Sequence, residues 1–111
     1  MTLKELLSEI QVVRFWGQPD LDISGIAYSS HLVEAGNIFV AVKGLKADGY
    51  DFIPEAKQKG ATAIVSERQK PEELDLTWIQ VPDAREALAL ISATFYGHPA
   101  LKLKTIGITG T

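Results

Sequence analysis

Three short stretches carry residue types able to bind or react: Tyr28-Ser29-Ser30-His31, Gly44-Leu45-Lys46-Ala47-Asp48-Gly49-Tyr50, and Thr109-Gly110-Thr111. The first sets a phenol, two hydroxyls and an imidazole just past an expected strand. Open α/β sheets hold ligands at that C-terminal edge. A plainer role competes with binding, in which Ser29 or Ser30 caps a helical turn over His31 to Ala35. A Ser30-His31 nucleophile pair is the weakest option. Neighbours in sequence seldom face each other, and no acid is placed to orient His31.

In the second stretch, Gly44 and Gly49 permit backbone shapes that other residues resist. With Lys46 and free amides after a buried strand, such a loop can hold a phosphate or diphosphate. It reads equally as a solvated surface loop. The third stretch follows the apolar run Ile106-Gly107-Ile108 and reads as strand into glycine turn, the way a phosphate-binding loop begins. A tight turn after any buried strand would look the same. The expectation is a front piece of a larger nucleotide-using protein.

The elements that must position these groups follow from periodicity. Leu3, Leu6, Leu7 and Ile10 share one face of an expected helix Thr2 to Ile10, with Thr2 and Glu5 at capping-box spacing. Strands are expected at Asp22 to Tyr28, Asn37 to Val42, Thr62 to Ser66, Thr77 to Val81 and Lys104 to Ile108. The run Asn37 to Val42 is almost wholly apolar and should be buried on both faces. A helix is expected from Asp51 to Lys59, capped by Asp51, with Pro54 in its first turn and Gly60 ending it. Asp83 caps a third helix, with Glu86 at capping-box spacing. Leu88, Ile91 and Phe95 mark its apolar stripe, and Gly97 and Pro99 stop it.

Strands alternating with helices predict an α/β fold: a single layered domain with a mixed, mostly parallel sheet flanked by helices. The eight-residue connection Ser29 to Gly36 is short for a parallel crossover. That end of the sheet is therefore expected to be antiparallel or split off. The only candidate boundary lies near His98-Pro99-Ala100, giving a domain at 1–98 and the start of another at 99–111.

Composition narrows the function classes. The chain has 111 residues, a net charge of −3 and no cysteine. It offers no disulfide framework, no thiol catalysis and no basic stripe for nucleic acid. The N-terminus lacks a signal-peptide pattern and no apolar run approaches the roughly 20 residues a membrane helix needs. A cytoplasmic protein, bound to neither nucleic acid nor membrane, is the expectation. No His, Asp or Glu cluster has metal-ligand spacing, and Trp16 and Trp78 read as packing residues.

From about Leu21 onward the chain resembles the N-terminal domain of the Mur ligases. The resemblance rests on Ser30, Ala35-Gly36-Asn37-Ile38-Phe39-Val40-Ala41-Val42-Lys43-Gly44 and Ala47-Asp48-Gly49-Tyr50-Asp51-Phe52-Ile53. Gly60-Ala61-Thr62-Ala63-Ile64-Val65 and Phe95-Tyr96-Gly97-His98-Pro99 continue it into Ile106-Gly107-Ile108-Thr109-Gly110-Thr111. Within the family it is most similar to the branch that adds the third peptide residue of peptidoglycan (MurE), with the MurF branch as rival. A non-catalytic interaction module is the alternative outside the family.

The resemblance implies that residues 1–98 bind the uridine-diphosphate end of UDP-MurNAc-L-Ala-D-Glu. Ser30 is the implied contact, with Tyr28 beside it, under a loop of Leu45, Lys46 and Ala47 shaped by Asp48 and Gly49. Gly110 and Thr111 would open the ATP phosphate loop of the next domain. The implied parent is an ATP- and Mg²⁺-dependent ligase, completed by its ATPase and C-terminal domains. It would activate the D-Glu carboxylate as an acyl phosphate for attack by the amine of meso-diaminopimelate or lysine. No catalytic residue is implied within this chain. Where the family usually has Asp-Ser-Arg, the chain has Ser29-Ser30-His31, so an acid and a guanidinium are both replaced.

Overall fold

The structure of the chain, a computed structural model, describes residues 1–42 and 49–101. Thr2 and Glu5 form the expected capping box: Thr2 N donates to Glu5 Oε1 at 2.9 Å and Glu5 N to Thr2 Oγ1 at 3.3 Å. The helix they start, α1, is short. It spans Leu3–Leu6, tightens into a 3-10 turn at Leu7–Glu9, and ends at Ile10 in extended backbone. Only Leu3 and Leu6 of its apolar residues are fully buried. Packing therefore holds one turn rather than the longer helix that the spacing predicts.

Five strands form one sheet in the order β1-β5-β4-β3-β2: β1 at Arg14–Trp16, β2 at Gly25–Ala27, β3 at Asn37–Val40, β4 at Ala63–Ser66 and β5 at Thr77–Gln80. Strands β2 to β5 are mutually parallel, and β1 closes the far edge antiparallel to β5. The mixed, mostly parallel sheet is as expected, but its antiparallel member is not. β1 has no counterpart in the expected elements. Its three residues are too few to show an alternation, and only pairing with Gln80, Ile79 and Trp78 makes them a strand.

The β2–β3 end is parallel, contrary to expectation, in the register Gly25↔Asn37, Ile26↔Ile38, Ala27↔Phe39. Residues 28–36 complete the crossover because a 3-10 turn at Ser30–Leu32 and buried Val33 take the place of a full helix. The strand expected at Asp22 to Tyr28 shortens to three residues accordingly.

The strands alternate their side chains between two apolar layers, as fully covered parallel strands do. Ile38, Val40, Ala63, Val65, Ile79 and Val81 meet Leu3 and Leu6 of α1 on one face. Ala84, Ala87 and Ile91 of α3 (Ala84–Leu101) complete that layer. Phe39, Ala41, Ile64 and Trp78 meet Ile53 and Ala56 of α2 (Ile53–Gln58) on the other. Trp78 is a packing residue, fully buried, with its indole N–H donating to Arg68 O at 2.8 Å.

Two helix-end expectations need correction. Asp51 does not cap α2, because a 3-10 turn at Gly49–Phe52 occupies that position and Phe52 is the N-cap without a side-chain bond. The end signals at Gly97 and Pro99 do not stop α3, which continues to Leu101 and so crosses the candidate boundary at His98. Such signals are energetic biases of about 1 and 3 kcal/mol, and a helix anchored by Ala84, Ala87 and Ile91 can absorb them. Asp83 does cap α3, accepting from Arg85 N at 3.0 Å and Glu86 N at 3.1 Å. The expected strand Lys104 to Ile108 lies outside the described residues.

Candidate functional site

Strands β2 and β3 run side by side and release the chain at the same edge, through Tyr28 and through Ala41 and Val42. The N-terminal end of α2 arrives above that edge. A cavity of about 190 Å³ opens where the three meet, lined by Tyr28, Ser29, Ser30, His31, Phe39, Val42 and Phe52. It lies at the C-terminal edge of the parallel strands, the place expected for a ligand.

Ser29 is the plain cap that the sequence allows, accepting a bond from His31 N at 3.4 Å to start the Ser30–Leu32 turn. That turn carries Ser30 inward, to 3% exposure, and His31 outward. Among the described residues no hydrogen-bond partner stands against the Ser30 hydroxyl. A buried hydroxyl without a partner is costly, by roughly 1–3 kcal/mol, so one in a cavity wall points to something that completes it.

Tyr28 and Phe52 bring apolar surface to the rim and remain 61% and 39% exposed. Phe39, by contrast, is fully buried and forms the floor. Of the expected site residues the structure brings together Tyr28 and Ser30. Gly49 begins the 3-10 turn leading to Phe52. Leu45, Lys46, Ala47, Asp48, Gly110 and Thr111 lie outside the described residues.

Sequence reasoning missed Phe39, Val42 and Phe52, which read as ordinary core or helix-start residues. Only the meeting of three elements gives them a common wall. It also placed no acid near His31. The structure does: Glu55 Oε2 of α2 lies 3.8 Å from His31 Nδ1, and the same oxygen lies 3.4 Å from Lys59 Nζ. This is no catalytic triad. The imidazole is 81% exposed, the separation exceeds a hydrogen bond, and among the described residues no serine hydroxyl bonds to the His31 ring.

Larger hollows lie elsewhere. One of about 480 Å³ at the opposite sheet edge includes Trp16, Lys70 and Thr77. Its polar groups are already engaged: Lys70 Nζ donates to Pro71 O and Leu74 O, and Thr77 Oγ1 accepts from Gln18 N. Another of about 370 Å³ lies between Pro54 and Pro71. Neither adds a buried, unpartnered polar group. Among the described residues no group of three or more His, Asp or Glu could hold a metal ion, and no helix is long and apolar enough to cross a membrane.

The fold is a mostly parallel α/β sheet with a cavity at the C-terminal ends of its strands. The family model for the Mur ligase family, catalytic domain, matches residues 22–96, more than half of the chain, and the chain belongs to that family. It is 45% identical over its full length to the UDP-N-acetylmuramoyl-L-alanyl-D-glutamate--2,6-diaminopimelate ligase of Bacteroides fragilis, of which it covers 23%. Among solved structures, MurF from Acinetobacter baumannii superposes with a TM-score of 0.68 at 26% identity, over 84% of this chain and 20% of that one. MurF ligase from Thermotoga maritima in complex with ADP gives 0.58 at 36% identity, over 72% and 18%. The chain thus spans about a quarter of the length of the curated relatives it matches.

Proposed function

We propose that the cavity at Tyr28, Ser30, Phe39 and Phe52 receives the uridine-diphosphate end of UDP-MurNAc-L-Ala-D-Glu. The observation that carries this reading is the Ser30 hydroxyl, buried in the cavity wall with no partner among the described residues. The segment Leu45-Lys46-Ala47, with Asp48 and Gly49, follows Val42 in the sequence and is assigned to closing over the nucleotide. In this reading the five-stranded sheet and the helices packed on it, through α3, are the substrate-binding domain.

The parent is an ATP-dependent, amide-forming ligase of peptidoglycan synthesis, acting in the cytoplasm. It adds meso-diaminopimelate or lysine to the dipeptide with the help of its ATPase and C-terminal domains. The name of the Bacteroides relative supports this assignment. The MurF alternative has lower identity behind it, 25–36% against 45%. Gly110 and Thr111 are assigned to the start of the ATP phosphate loop, and the ADP complex of the Thermotoga relative supports ATP as the energy source. The described residues offer no acidic cluster for Mg²⁺, so no residue here is assigned to the metal, and none to catalysis.

Isothermal titration of the 111-residue chain with UDP-MurNAc-L-Ala-D-Glu tests the reading. Binding is expected, weakened about three- to tenfold by Ser30→Ala, the worth of one hydrogen bond. The chain alone should not hydrolyse ATP. Absence of heat at millimolar ligand would contradict the assignment.

A further inference from the structure

We propose that Glu55 tunes the grip of this cavity on a phosphate-bearing ligand by competing with that ligand for the charge of His31. The inference rests on the nucleotide-diphosphate reading above and adds a residue to it. His31 belongs to the cavity wall, and its Nδ1 stands 3.8 Å from Glu55 Oε2 of α2. That separation is too long for a hydrogen bond, so the attraction is purely electrostatic. The two side chains are 81% and 39% exposed, which makes the contact weak and easily exchanged.

A phosphate oxygen offers a protonated imidazole what the carboxylate offers: negative charge and an acceptor, but with room for a short, charge-assisted bond. When His31 turns to the ligand it leaves Glu55, and the lost attraction counts against binding. Among the described residues the charged groups facing His31 are Glu55 and, behind it, Lys59. Lys59 Nζ shares the same carboxylate oxygen at 3.4 Å, which offsets part of the charge of Glu55. Glu55 thus acts as a positioning residue, through His31, and touches no ligand atom.

The test is titration of the 111-residue chain with UDP and with uridine at about pH 6, where imidazole side chains ordinarily carry charge. Glu55→Gln is expected to tighten UDP about two- to fivefold, the range for exposed charge pairs, and to leave uridine unchanged. The gain should shrink in high salt and disappear in the His31→Ala background. Glu55→Gln leaving UDP unchanged, or shifting UDP and uridine equally, overturns the proposal while the nucleotide site stands. A wild-type chain that binds neither ligand overturns both. Matching thermal unfolding of wild type and Glu55→Gln separates the effect from misfolding.

Discussion

The carboxamide of Asn37 occupies the space where Gly25 would carry a side chain: a Cβ built on Gly25 meets Asn37 Nδ2 at 2.9 Å. That carboxamide also accepts from Glu34 N at 2.9 Å and donates to Ser24 Oγ at 3.3 Å. One buried side chain therefore ties β2, β3 and the end of the connection that carries Ser30. Gly25→Ala should destabilise the chain by about 1–3 kcal/mol, as overpacking does. Asn37→Ala should cost a similar amount by stranding buried partners. Urea denaturation reads both, and Gly25→Ala at wild-type stability would show that the carboxamide yields freely.

Gly60 is held by backbone rather than by a side chain. Its φ is +108°, and a Cβ there would meet Ala35 Cα at 2.7 Å. Gly→Ala changes stabilise where the native backbone suits alanine; here Gly60→Ala should instead cost at least about 1–2 kcal/mol. Thermal unfolding checks the sign, and a higher melting temperature would contradict the account.

The fold class was legible because its signals are local. The alternating apolar runs at Ile38, Ile64 and Ile79, the capping boxes at Thr2 and Asp83, and Gly60 after α2 each announce an element within a few residues. The parallel β2–β3 pairing was not legible, because a 3-10 turn of three residues leaves no helical period to read. Nor was β1, whose strand character comes from Gln80, Ile79 and Trp78 far along the chain. Half of the candidate site followed the same rule. Ser30 and Tyr28 stood out by type at a strand end, whereas Phe39, Phe52 and the Glu55–His31 contact depend on where α2 lands.

Asp83 caps the longest helix of the described residues through two backbone bonds. Asp83→Ala should cost about 0.5–2 kcal/mol and Asp83→Asn much less, since asparagine caps nearly as well. Because Ala84, Ala87 and Ile91 join α3 to the apolar layer beside α1, the loss should appear as one cooperative transition in thermal unfolding. A fraying phase confined to helical signal would contradict that coupling.

The central claim is the location of the nucleotide, and backbone amide NMR of the chain titrated with UDP tests it most directly. Shifts are predicted at Ser29, Ser30, His31, Val42 and Phe52, around the cavity at the strand ends. Gly17, Thr62 and Leu76, at the opposite edge of the sheet, should stay still. Shifts confined to that opposite edge, or none at saturating UDP, would contradict the account.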